Sequence, residues 1–151
     1  MSLLGGVHHV SLNVSDVEDA ARFYEEVLGL TRIERPDFGF PGAWFDANGT
    51  QVHLIQVADH RAPTSQHFAF RVDDVDAVVA ALVEKGVEVS PPSAGFPGAG
   101  RQAFLKDPSG NLIELNQPDR IGGRSGRRRE GGCSWPVRAW RTPTSAGRSC
   151  S

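Results

Sequence analysis

The chain is poor in cysteine and in long apolar runs, and both shortages narrow its class. Its two cysteines, Cys133 and Cys150, stand near the C-terminus without CxxC spacing. Neither a disulfide framework nor a cysteine-based zinc site is indicated. No apolar run approaches the roughly 18–20 residues that a membrane span requires. MSLLGG at the N-terminus lacks the basic start and apolar stretch of a secretory signal, so a cytoplasmic protein with no membrane partner is expected. GAGRQ (99–102 with the preceding Gly98) lacks the spacing and Lys-Ser/Thr ending of a phosphate loop.

The formal charge of −2 conceals a division. Residues 1–119 hold 8 Lys+Arg against 17 Asp+Glu, a net −9, whereas residues 120–151 hold 8 Arg and the single Glu130, a net +7. Residues 120–151 also contain no Leu, Phe or Met, while all eight Phe precede them. With no periodic apolar face to bury, this basic tail is expected to be disordered. Its mixture of Arg, Gly, Pro, Trp, Cys and Ser reads as non-native or frameshifted sequence, and no nucleic-acid-binding motif accompanies the charge. Function is therefore sought in residues 1–119.

These residues repeat. HVSLNVSDV (9–17) overlays HFAFRVDDV (67–75), and DANGTQVHLIQ (46–56) overlays DPSGNLIELNQ (107–117), at offsets of 58 and 61. Two matches in the same order mark a tandem duplication, with module one at 5–57 and module two at 66–118. Val10, Leu12 and Val14 alternate with His9, Ser11 and Asn13; Phe68, Phe70 and Val72 alternate with His67, Ala69 and Arg71. Each alternating run precedes a helical pattern. The first carries a capping-box pattern, Ser15-x-x-Glu18, and stops at Gly29; the second runs from Val75 to about Lys85 and stops at Gly86. Short strand candidates and turns complete each half. An α+β fold of two β-α-β-β-β modules is predicted, with one sheet face on helices and the other facing a cavity.

Strand parity gives this fold a chemistry. If the apolar positions face the helices, His9 and His67 face the cavity, as do His53 between Val52 and Leu54 and Glu114 between Ile113 and Leu115. Four ligand-type side chains thus occupy two pairs of repeat-equivalent positions. Three imidazoles and a carboxylate suit one divalent transition ion (Zn, Ni, Co, Mn or Fe(II)) better than Mg or Ca. His8, on the opposite parity, and His60, in the joint 57–66, are expected to be solvated or structural. The repeated string GFPGA (39–43 and 95–99) places Phe38, Phe40 and Phe96 near the cavity mouth, as an apolar wall or as ordinary turns. Ser11, Asn13, Arg71, Phe96 and Arg101 are the candidate substrate contacts.

HHVSLNVSDVEDAARFYEEVLGL and FLKDPSGNLIELNQP resemble the vicinal-oxygen-chelate superfamily, which includes glyoxalase I, methylmalonyl-CoA epimerase, fosfomycin- and bleomycin-resistance proteins and extradiol dioxygenases. The resemblance covers about residues 5–118. It implies paired modules around an open, barrel-like cavity, commonly in a homodimer, with a divalent metal at His9, His53, His67 and Glu114 holding two neighbouring oxygens of a small-molecule substrate. His53 departs from the Glu or Gln usual at its position in glyoxalase I and the epimerase. The reading that follows is a glyoxalase-like lyase or isomerase moving a proton next to a carbonyl, with Glu114 as preferred base and His53 next. An Fe(II) extradiol-type dioxygenase and an antibiotic-resistance or sequestration protein are the alternatives.

Overall fold

The computed structural model describes residues 3–119. The basic tail, and the expectation of disorder placed on it, lie outside the described residues. Module one contributes β1 (His9–Val14), helix α1 (Val17–Arg22) running on into a π-helical turn (Phe23–Val27), β2 (Thr31–Ile33), β3 (Gly42–Ala47) and β4 (Thr50–Gln56). Module two contributes β5 (His67–Arg71), α2 (Val75–Glu84), β6 (Arg101–Lys106) and β7 (Leu112–Gln117). The strands form two sheets, ordered β1-β4-β3-β2 and β5-β7-β6. In each, the module's first strand pairs in parallel with its last and leaves its other edge unpaired in the sheet. Among the described residues no helix is long and apolar enough to cross a membrane.

The predicted α+β class and duplicated grammar hold, with two departures. The second module keeps only isolated bridges, Val89 to Leu105 and Ser93 to Gln102, where the first has β2. The segment 87–100 contains Pro91, Pro92 and Pro97, which have no backbone N–H to donate to a ladder. The first helix is capped by Asp16, whose carboxylate accepts from the Asp19 amide at 2.9 Å, rather than by Ser15. Asp74 caps α2 in the same way. Ser15 instead crosses to module two: its amide donates to Ser109 Oγ at 3.0 Å. Gly29 and Gly86 end the helical segments with φ of 76° and 81°, a conformation costly for residues with a Cβ.

The core lies between helices and sheets, as the alternation requires. Val14, Val17, Tyr24, Phe45, Val52, Leu54, Val75, Ile113 and Leu115 are all buried. The modules are tied by polar contacts as well. The buried Tyr24 hydroxyl donates to Asp107 at 3.2 Å, and Lys85 Nζ donates to the Glu26 and Val27 carbonyls at 3.0 and 2.8 Å, where the first helix leaves acceptors free.

Candidate functional site

The register explains how each module pairs its two ligand-type residues. Ser11 lies opposite His53 and Ala69 opposite Glu114, so His9 and His67, two residues earlier, are the diagonal neighbours of His53 and Glu114. In module one the His9 and His53 rings stack at 4.3 Å between centroids and 13° between planes. In module two His67 Nε2 stands 2.9 Å from Glu114 Oε2. His53 and Glu114 are 8% and 5% exposed, whereas His9 and the His67 side chain reach solvent.

Neighbouring groups orient these side chains. His67 Nδ1–H donates to the Ser65 carbonyl at 3.0 Å, leaving Nε2 directed at Glu114. The other carboxylate oxygen, Oε1, accepts from Asn116 Nδ2 at 2.8 Å. His53 Nε2 bonds Gln51 Oε1 at 2.8 Å; with Nε2–H as donor, Nδ1 keeps its lone pair. Burial, then the nearby His9, His8 and Arg35, hold the His53 pKa below its ordinary 6.5. Its neutral form, the one that can ligate a metal or accept a proton, therefore prevails at neutral pH.

The pairs stay apart. Among the described residues of a single chain, no group of three or more His, Cys, Asp or Glu side chains converges as a metal site. The physical reason is the split into two sheets: β4 brings His53 to His9, β7 brings Glu114 to His67, and no strand joins the two ladders. The donor types match a divalent transition ion, but one chain by itself offers them as two halves.

The remaining candidates separate similarly. Ser11, Asn13 and His67 line a cavity of about 420 Å³ between β1 and β5, together with His60, Gln66 and Asn111. Arg71 lines a different cavity, of about 660 Å³, with Val10, Phe68 and Phe70. Phe96 is 84% exposed on its turn. Arg101 is held by both carboxylate oxygens of Asp76 at the start of α2. His8 is exposed with its Nδ1 3.0 Å from that of His9, and His60 bonds Asn111 Oδ1 at 3.0 Å.

Two neighbours of the site escape sequence reasoning. Trp44, opposite His53 in the β3–β4 register, stacks on that imidazole at 4.1 Å and 7°, so His53 is sandwiched between Trp44 and His9. Arg35 lies close enough for its charge to act on His53. Alternation within a strand reveals a face, whereas these contacts require knowing which strands are neighbours. The only available signal was the tryptophan on a strand leading to a ligand position.

Comparison with known proteins agrees with this architecture. The family model described as Glyoxalase/Bleomycin resistance protein/Dioxygenase superfamily matches residues 6–115. Glyoxylase I 4 of Arabidopsis thaliana is 28% identical over 128 residues, covering 78% of this chain and 74% of the relative. CFP32 of Mycobacterium tuberculosis is 33% identical over 122 residues, 77% of this chain but 47% of the relative, so the chain spans about half of that longer protein. The crystal structure of TnmS3, an antibiotic-binding protein from Streptomyces sp. CB03234, superposes with a TM-score of 0.65 at 36% identity, covering 79% of this chain and 100% of that one.

Proposed function

The chain belongs to the glyoxalase/bleomycin resistance protein/dioxygenase superfamily, and on that premise we propose that it is a metal-dependent enzyme moving a proton next to a carbonyl in a small chelating substrate. The observation that carries this reading is the matched pair of donor pairs: His9 with His53 and His67 with Glu114, at equivalent register positions. A buried carboxylate and a buried neutral imidazole, each oriented by an amide side chain, offer the donor types and the fixed orientation that a metal ion would use.

In this proposal the full donor set assembles in a homodimer, where the His9–His53 pair of one copy meets the His67–Glu114 pair of a second. The separation of the pairs within one chain supports that arrangement. So do β1 and β5, each left with an unpaired edge in its sheet. A divalent ion held there supplies Lewis-acid stabilisation of negative charge developing on substrate oxygen. Glu114 is the preferred proton acceptor on leaving the metal, with Asn116 donating to its Oε1; His53 Nδ1 is the next candidate. Ser11 and Asn13, in the cavity beside His67, are placed to bind the substrate's polar groups.

The test combines metal analysis, native mass measurement and turnover. Protein loaded with Ni, Co or Zn without oxygen is screened against thiohemiacetals, acyl-CoA epimers and small epoxides. Turnover under those conditions, with about one ion per chain, is the expected result. Activity confined to Fe(II) and air, with stoichiometric oxygen uptake, would replace this reading with the dioxygenase. A sequestration protein is a second reading, favoured by the 36% identity to the antibiotic-binding TnmS3. Metal-free protein, silent with every substrate, would select it.

A further inference from the structure

Arg35 is set apart from three arginines that sit in ion pairs. Arg22, Arg32 and Arg101 are paired with Asp19, Glu18 and Asp76. Arg35 has no carboxylate at ion-pair distance among the described residues, although residues 1–119 carry 17 acidic groups. Its guanidinium carbon lies 4.8 Å from the centroids of both Phe38 and Phe40. Nη1 donates to the Pro36 carbonyl at 3.3 Å, and Nη2 is buried without a hydrogen-bond partner. Leaving such a donor unsatisfied costs on the order of 1–3 kcal/mol, so its retention calls for an explanation. Gly42 makes the placement possible. A Cβ there would lie 2.8 Å from Arg35 Nε and 2.7 Å from the Leu54 carbonyl oxygen.

The rings above this guanidinium continue to the donor pair. Phe40 stacks on Phe38 at 5.8 Å, Phe38 meets Trp44 at 5.9 Å, Trp44 stacks on His53 at 4.1 Å, and His53 on His9 at 4.3 Å. Five rings therefore form one strip with a cation at its far end. Phe38 and Phe40 are 51% and 45% exposed, an open apolar surface rather than core. They flank Gly39, which has a φ of 76° and whose amide is held by Asp37 Oδ1 at 2.8 Å.

We infer that this strip binds a planar conjugated anion, such as an aromatic carboxylate, with its ring system on the aromatic side chains and its charge met by Arg35. The ligand takes the place of the exposed Phe38 and Phe40 rings over the guanidinium, so that its ring system lies against Trp44 and Nη2 donates to its oxygen. Stacking selects the flat body and a charge-assisted hydrogen bond selects the anion. In a module environment otherwise rich in carboxylates, a neutral flat molecule gains only the first of these, and an aliphatic acid only the second. The inference names the substrate class for the function proposed above and rests on that reading for its chemistry, whereas ligand binding is measured independently of it.

The experiment uses the full-length chain, once stripped with chelator and once loaded with Ni. Calorimetric titration compares 2-naphthoate with 2-naphthamide and cyclohexanecarboxylate. Naphthoate is expected to bind about tenfold or more tightly than either, the scale of one charge-assisted hydrogen bond. Arg35→Gln brings naphthoate down to the level of naphthamide and leaves naphthamide itself unchanged. Trp44→Leu weakens both naphthyl probes. Arg35→Lys keeps part of the charge preference, and circular dichroism verifies that each variant is folded. Naphthoate binding no tighter than cyclohexanecarboxylate, or unaffected in folded Arg35→Gln, overturns the inference. Metal content separates the two readings: Ni uptake without naphthoate binding defeats this one alone, and naphthoate binding by protein that takes up no Ni on loading defeats the metal site alone.

Discussion

Modules one and two are copies of one plan that have diverged where chemistry is placed. Module one surrounds its buried position with rings, sandwiching His53 between Trp44 and His9. Module two puts Glu114 at the equivalent position, against His67 and the Asn116 amide. The hairpin aspartates diverge as well. Asp46 accepts from the Gly49 amide at 3.1 Å, whereas the buried Asp107 accepts from Tyr24, Ser109 and twice from Asn111. Duplication supplies equivalent backbone positions. The side chains then differ, with stacked rings around one buried position and a carboxylate beside an imidazole and an amide at the other.

The largest expected effect bears on that difference directly. His9→Ala and His67→Ala should each abolish stoichiometric metal binding, measured by elemental analysis, whereas His8→Ala and His60→Ala should not. Unfolding and refolding the two defective variants together should restore binding at about a quarter of sites, the share in which both intact halves meet in a random mixture of twofold dimers. No restoration would mean that the halves belong to one chain.

The next effect concerns stability. Burial, and then the Asp107 charge and hydrogen bond, push the Tyr24 pKa far up, keeping the phenol protonated as a donor. Tyr24→Phe should cost about 1–3 kcal/mol in denaturant unfolding, because it removes one donor from a buried carboxylate. Asp46→Asn, at the repeat-equivalent but more accessible site, should stay within about 0.5 kcal/mol. Equal losses would show that the two hairpins bear similar loads.

A smaller effect is pH-dependent. The folded pKa of His53 lies below its ordinary 6.5, so on acidification the unfolded chain takes up the proton first. Stability contributed by neutral His53 is complete above about pH 6.5 and is lost as pH falls through the window below it. Wild-type protein should therefore lose more stability between pH 7 and 5 than His53→Gln, as followed by thermal unfolding. Parallel pH curves would remove His53 as the cause. Smallest of all is Arg101→Ala: its pair with Asp76 is solvent-exposed, and the thermal midpoint should be unchanged within error.

The duplication, the helix positions and the sheet-face parity were legible in the residues because each depends on spacing along the chain. Alternation placed His9 and His67 on equivalent faces, and the buried flanks of His53 and Glu114 were visible as Val52, Leu54, Ile113 and Leu115. Cap choice was less legible, since Ser15 and Asp16 are both competent and contact with Ser109 engages the former. The strand missing from module two could be anticipated only by weighting its prolines above the expected symmetry.

By itself, then, the sequence determined which residues repeat, which faces are apolar and which side chains have ligand chemistry, because periodicity and functional groups are local properties. Tertiary structure alone decided that His9 meets His53 while His67 meets Glu114, that Trp44 stacks beside them, and that Arg101 turns to Asp76 while Arg35 lies beneath two phenylalanines. Such contacts depend on strand order, register and the space that Gly42 leaves, where residues distant in sequence compete for the same neighbours.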